Sequence, residues 1–247
     1  MNNKIIKTII WLSIFSISLA FMETAVVVYL RKLYYPDGFS FPLKIIDLDV
    51  AITEFFREIA TIIILGSAGI LVGRKNIEKF AVFIFCFAVW DIFYYVFLKI
   101  TLNWPDSLLT WDILFMVPVT WVGPVIAPVI NSITMIVLAG CIIYYTEKNG
   151  IVSIGKTIWV LLITGSFVII FGYTQEYLHY MMVKFSITEI FGISNNKEVL
   201  KYACSFIPMH FNWVIFGIGE LMHITAIFIF RRSIQKNPCR INDRDKF

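Results

Sequence analysis

Residues 79–101 read KFAVFIFCFAVWDIFYYVFLKIT, and the only charge between the flanking Lys79 and Lys99 is Asp91. Crossing the hydrocarbon of a bilayer takes a helix of about 20 mostly apolar residues, and this stretch is long enough. Apart from one stripe of Asp91, Tyr95 and Lys99 it is apolar and largely aromatic, too apolar for a helix in water. Five further stretches share this character, roughly 8–31, 48–73, 122–146, 157–182 and 203–230. Together they predict an all-α fold, a polytopic transmembrane helical bundle of about six spans. It forms a single transmembrane domain over residues 1–247, with a basic tail at 231–247.

Composition agrees with that reading. Apolar residues make up 59% of the chain, charged residues 15%, and mean hydropathy is +0.79, whereas a soluble domain carries about 25% charge. In water so much apolar surface would be exposed as large patches, but in a bilayer it is solvated by lipid. Cys86, Cys141, Cys204 and Cys239 lie far apart and show no CxxC or zinc-finger spacing, which argues against a disulfide framework. No basic patch interleaved with aromatics stands outside the apolar runs, so nucleic acid is not an expected partner. The expected partners are the lipid bilayer and a small-molecule or lipid-like ligand.

Lysines and arginines near span ends set orientation. Lys4, Lys7, Arg74, Lys75, Lys79, Lys148, Lys156, Arg231, Arg232, Lys236, Arg240, Arg244 and Lys246 fall on one side of a six-span topology. The shorter set of Arg31, Lys32, Lys44, Lys99, Lys184, Lys197 and Lys201 falls on the other. Both termini are therefore predicted to be cytoplasmic. The first span has a second reading as a cleaved signal peptide, since Ser18-Leu19-Ala20 resembles a small-residue cleavage site. The apolar run continues through Val26-Val27-Val28-Tyr29-Leu30, however, which favours a retained span.

The segment from Asn103 to Pro128 holds Trp104, Trp111 and Trp121 with Pro105, Pro118, Pro124 and Pro128. Apolar but broken by proline, it reads as a re-entrant or interfacial cap before span four. Irregular backbone at membrane depth needs protein or a wet cavity to satisfy it.

Charges inside the spans are costly, about 2.5–3.5 kcal/mol each at mid-helix, and usually face inward towards a partner. Span one carries Glu23 and span two carries Glu54, Arg57 and Glu58. Span three has Asp91, Tyr95 and Lys99 at successive i+4 steps. Span five has Gln175, Glu176 and His179, and span six has His210, Asn212, Glu220 and His223. Under the predicted topology all the acidic, basic and histidine groups but Glu220 and His223 lie in the outer half. That sorting by depth predicts one polar cavity open to the outer face.

Glu54, Glu58, Asp91 and His179 are the candidate acid/base groups, with Glu54 or Glu58 as proton carrier and Arg57 holding an anionic headgroup or offsetting a carboxylate. Glu23, Arg57, Tyr95, Glu176 and His210 are the candidate binding groups. The Glu-x-x-His spacing occurs twice, at Glu176/His179 and Glu220/His223, but at different depths, so one shared metal pair is not expected. No cofactor is defined. Zinc or iron would suit His179 and His210 with a span-two glutamate, were these to meet.

The strings Phe21–Arg31 (FMETAVVVYLR), Val89–Lys99 (VWDIFYYVFLK) and Trp104–Asp112 (WPDSLLTWD) resemble a family of uncharacterised bacterial multi-pass inner-membrane proteins. The resemblance covers about the first 130 residues. It implies a bacterial inner membrane and carries no activity, cofactor or substrate with it.

Three functional classes follow from the residues. One is a membrane-embedded enzyme or binding protein for a lipid-like or small anionic substrate. The second is a proton- or ion-coupled small-molecule transporter, for which Glu220 and His223 would extend the polar path. The third is a structural or assembly subunit whose polar groups pair with a partner's helices.

Overall fold

The computed structural model describes residues 3–150, 152–191 and 197–236. In chain order these form α1 (Asn3–Tyr34), α2 (Leu48–Val72), α3 (Asn76–Leu102), β1 (Trp111–Phe115), β2 (Trp121–Pro124), α4 (Ile126–Asn149), α5 (Lys156–Met182), α6 (Ile187–Phe191), α7 (Lys197–Cys204) and α8 (Trp213–Lys236). Among the described residues six helices, α1 to α5 and α8, are long and apolar enough to cross a membrane. The fold is a polytopic helical bundle. Cys239 and the basic tail beyond Lys236 lie outside the described residues.

The chain stops its helices where local chemistry requires it. At Gly73 the backbone N–H bonds back to the Gly69 carbonyl at 2.9 Å. A β-carbon at Gly73 would stand 2.4 Å from the Lys79 nitrogen, so only glycine allows the tight passage into α3. Helix α3 ends on Asn103 with φ 52°, a left-handed conformation that asparagine tolerates better than most residues.

Two boundaries differ from expectation. The sixth span starts at Trp213, not near 203. Residues 197–204 form the separate α7, Pro208 is incompatible with a helix interior, and Asn212 restarts the helix with its Oδ1 accepting the Ile215 N–H at 3.1 Å. The fourth span starts at Ile126 because residues 121–124 pair as a strand.

That strand belongs to an antiparallel hairpin, the form taken by the Trp/Pro segment. Trp111 faces Pro124, Asp112 faces Gly123, Ile113 faces Val122 and Phe115 faces Trp121, with an irregularity between Ile113 and Phe115. Gly123 allows β2 to lie close to the bundle, since a β-carbon there would come within 3.2 Å of Leu114, Tyr173 and Phe211.

Helix α3 packs against α1, α2 and α4; α4 also meets α8; α5 and α8 pack along each other, and β2 rests on α5. The α5–α8 contact is a small-residue crossing. A β-carbon on Gly219 would lie 2.9 Å from the Gly165 carbonyl, and one on Gly165 would lie 2.7 Å from the His223 ring. Such close approach supplies the dispersion contact that holds helices together in lipid. The outward faces stay greasy: Leu71 is 85% and Val214 72% exposed, as expected for surface solvated by acyl chains. Within the spans Ser16 and Thr24 bond back to the carbonyls of Leu12 and Ala20, so their hydroxyls are satisfied within α1.

Candidate functional site

A cavity of about 310 Å³ opens between α1, α2, α3, the hairpin and α7. The ends of α1 and α3, the starts of α2 and α4 and the hairpin share this end of the bundle, called here the hairpin end. Glu23, Arg31, Glu54, Arg57, Glu58, Thr61, Asp91, Tyr94, Tyr95 and Asp112 all line the cavity. The rest of the wall is mostly apolar or aromatic.

Helix geometry explains how these side chains meet. Glu54, Arg57, Glu58 and Thr61 recur at three- and four-residue steps, so they form one stripe on α2. The Arg57 guanidinium reaches along its own helix to Glu54 Oε2, with Nη2 at 2.6 Å and Nε at 2.8 Å. Its Nη1 pairs with Glu23 of α1. The other Glu23 oxygen accepts the Thr61 hydroxyl at 3.1 Å. Arg57 therefore joins two carboxylates from two helices. The expectation that it would hold an anionic headgroup meets a guanidinium already engaged.

The other two span carboxyls that line the cavity have neutral donors. Glu58 Oε2 accepts the backbone N–H of Met116 in the hairpin turn at 2.9 Å. Asp91 Oδ2 accepts the Ser132 hydroxyl of α4 at 2.8 Å. Neither forms an ion pair among the described residues.

A second ion pair lies at the rim. Arg31 Nη2 donates to Asp112 Oδ1 at 3.1 Å. The same guanidinium stacks over Trp104 at 3.7 Å and Phe39 at 4.4 Å, so its charge is offset by a carboxylate on one side and aromatic quadrupoles on others. Asp112 is 1% exposed. Burial pushes its carboxyl up to about 6, with Arg31 and the Tyr95 hydroxyl acting in the opposite direction. Cys204, on α7 at the cavity wall, is likewise pushed up by burial.

Of the residues expected at the site, Glu23, Glu54, Arg57, Glu58, Asp91 and Tyr95 come together. Glu176, His179 and His210 do not line the cavity. Glu176 accepts the backbone N–H groups of Met209 and His210 at 2.8 and 3.1 Å, and so braces the loop before α8. His179 and His210 are exposed; the first points off another face of α5 and the second lies in that loop. Lys99 donates to the carbonyls of Asn103 and Pro105, so it caps α3. Glu220, expected deeper, is the eighth residue of the later-starting α8 and accepts the Thr134 hydroxyl at 2.8 Å. His223 contacts the Leu162 carbonyl at 3.1 Å and Ser166 at 3.3 Å. Among the described residues no three His, Cys, Asp or Glu side chains are grouped to hold a metal ion, so His179, His210 and a span-two glutamate do not form the zinc or iron set. Arg31, Asp112, Tyr94 and Thr61 join the site without having been proposed for it. Arg31 and Thr61 follow Glu23 and Glu54 at helical spacing, which was the available signal.

Fold and cavity define the class: a multi-pass helical membrane protein with an acidic, aromatic-walled cavity at one end of the bundle. No protein-family model matches the chain, and comparisons with curated proteins and with solved structures found no match either.

Proposed function

We propose that the protein is a membrane-embedded enzyme or binding protein whose site for a lipid-like ligand is the cavity at the hairpin end. One observation carries this: acidic and basic side chains from α1, α2 and α3 converge on a single cavity whose remaining wall is apolar. An apolar pocket with a few convergent polar groups is the usual form of a small-molecule site. The apolar wall takes an aliphatic or aromatic body, while Glu58 and Asp91, neither in a salt bridge among the described residues, meet its polar end. Either carboxyl is placed to exchange a proton with a bound molecule. By the distribution of lysine and arginine, the hairpin end faces away from the cytoplasm and both termini face it, in a bacterial inner membrane.

The test uses a native reporter. Cys204 lines the cavity, and its modification by a maleimide at alkaline pH is read by peptide mass spectrometry on the full-length protein in neutral detergent. A bound amphiphile is expected to slow that modification at least fivefold, and Ala51→Trp, which fills the cavity from α2, is expected to remove the protection. If monodecanoylglycerol, tetraphenylphosphonium and tetraphenylborate all leave the rate unchanged, the reading fails.

A proton-coupled transporter is the second reading. It is favoured by the polar contacts that continue beyond the cavity, from Asp91–Ser132 to Thr134–Glu220 and on to His223–Ser166. It requires ligand-dependent proton movement in sealed vesicles that Glu220→Gln abolishes.

A further inference from the structure

We infer that the cavity selects an organic cation: a molecule with an apolar or aromatic body and a positively charged nitrogen or phosphorus centre. The inference rests on the reading of the cavity as a ligand site and names the class of ligand.

The argument is a charge balance taken partner by partner. Five carboxyls line the cavity, those of Glu23, Glu54, Glu58, Asp91 and Asp112, against the cations of Arg31, Arg57 and Lys44. Both guanidiniums are already engaged, and Lys44 is exposed at the mouth. Arg57 is shared by Glu23 and Glu54. Arg31 pairs with Asp112 and is covered by Trp104 and Phe39. Lys44 stands over the Tyr35 ring at the mouth. The acidic excess is therefore localised on Glu58 and Asp91, each hydrogen-bonded to one neutral donor and, among the described residues, in no salt bridge, with Arg57 acting on Glu58 only from a distance. A carboxylate in a low-dielectric wall without a cationic partner is costly, and a cation arriving there supplies the missing half of the pair.

The aromatic part of the cavity wall suits the same ligand. Trp90, Tyr94 and Tyr95 of α3 and Phe115 of the hairpin also line the cavity. Aromatic faces attract cations, especially weakly hydrated ones, most strongly where water is excluded. An anionic amphiphile would face the unpaired carboxyls and the negative faces of these rings. A neutral one would gain apolar burial and leave the acidic excess unbalanced.

Two probes of nearly equal shape and opposite charge separate these cases: tetraphenylphosphonium and tetraphenylborate. The readout is protection of Cys204 on the full-length protein in neutral detergent, with monodecanoylglycerol as the uncharged arm. Tetraphenylphosphonium is expected to protect with a midpoint at least tenfold below that of tetraphenylborate. Glu58→Gln and Asp91→Asn keep the acceptors for Met116 and Ser132, so each variant is expected to fold, which gel filtration checks. Each is expected to raise the tetraphenylphosphonium midpoint at least fivefold and to leave the monodecanoylglycerol midpoint within twofold. If tetraphenylborate or the neutral amphiphile protects as well as the cation, or both variants bind the cation as the parent does, charge selection is overturned and the cavity remains a ligand site. If no probe protects, the ligand site itself is overturned.

Discussion

Arg57 lies between Glu23 and Glu54 and is the residue on which the two carboxylates depend. Removing one partner from a buried ionic group leaves an uncompensated charge, which costs about 3–5 kcal/mol, whereas replacing the whole group by apolar or neutral residues is often close to neutral. Arg57→Met is therefore expected to lower unfolding stability in detergent by about that amount. The triple change Glu23→Gln, Glu54→Gln and Arg57→Met is expected to restore most of it. A triple variant no more stable than the single one would show that the ion group is not what Arg57 supports. Asp112 makes a second prediction. Its carboxyl is raised from the ordinary 3.8 to about 6 by burial, so the folded state holds the proton more tightly than the unfolded chain. Stability from this group is complete below about pH 4 and is lost as pH rises through about 6. At about 1.4 kcal/mol per unit the change is on the order of 3 kcal/mol. Unfolding midpoints of the parent should fall over that window relative to Asp112→Asn, which lacks the titration. Residue types were readable in advance at this scale, but partners were not. Arg57 was recognised as able to offset a carboxylate, yet nothing in the order of residues says that it would take two.

At the scale of elements, α5 and α8 meet through Gly165 and Gly219, and their contact leaves no room for a β-carbon. Gly165→Val forces the His223 ring and the Gly219 backbone apart, and overpacking of this kind typically costs about 1–3 kcal/mol. Gly140→Ala, on α4 with nothing within 4 Å of the added carbon, is expected to leave stability unchanged or slightly raised. A thermal melt of the two variants beside the parent checks the contrast, and equal midpoints would mean that the crossing is looser than drawn. The six long helices were legible because length and continuous apolarity suffice for a span. The hairpin was not. Trp121–Pro124 buries three residues in a row, and Trp111–Phe115 is half-buried throughout except for the buried Asp112, so the alternation that marks a half-exposed strand is absent, and tryptophan and proline there suggested irregular backbone. The start of α8 was misplaced because Phe206 and Ile207 extend the apolar run through a stretch that Pro208 and Asn212 divide.

For the whole molecule, an even number of spans puts the first residues of α1 and the last of α8 on one side. Reporter domains fused before α1 and after α8 are expected to report the same compartment, which under the proposed orientation is the cytoplasm. A split result would require an odd number of spans. The placement of charges shows why part of the site was readable. Position along a helix, at about 1.5 Å per residue, gives depth, and depth alone grouped Glu23, Glu54, Glu58 and Asp91 with Glu176, His179 and His210. Which way each side chain turns around its helix axis depends on neighbours that the linear pattern does not contain. Glu176 and His179 share the depth of the cavity but not its face, and His210 belongs to a loop once α8 is placed.

The Glu23–Arg57 pair has a bearing on biogenesis. On its own, the first helix would bring the Glu23 carboxyl into hydrocarbon without the guanidinium that pairs with it, and the second would bring two carboxyls and one guanidinium, a net negative charge. Docked together they share the guanidinium and the Thr61 hydroxyl. The two are thus expected to leave the translocon as a unit, the earlier one waiting at its lateral gate until the later has been synthesised.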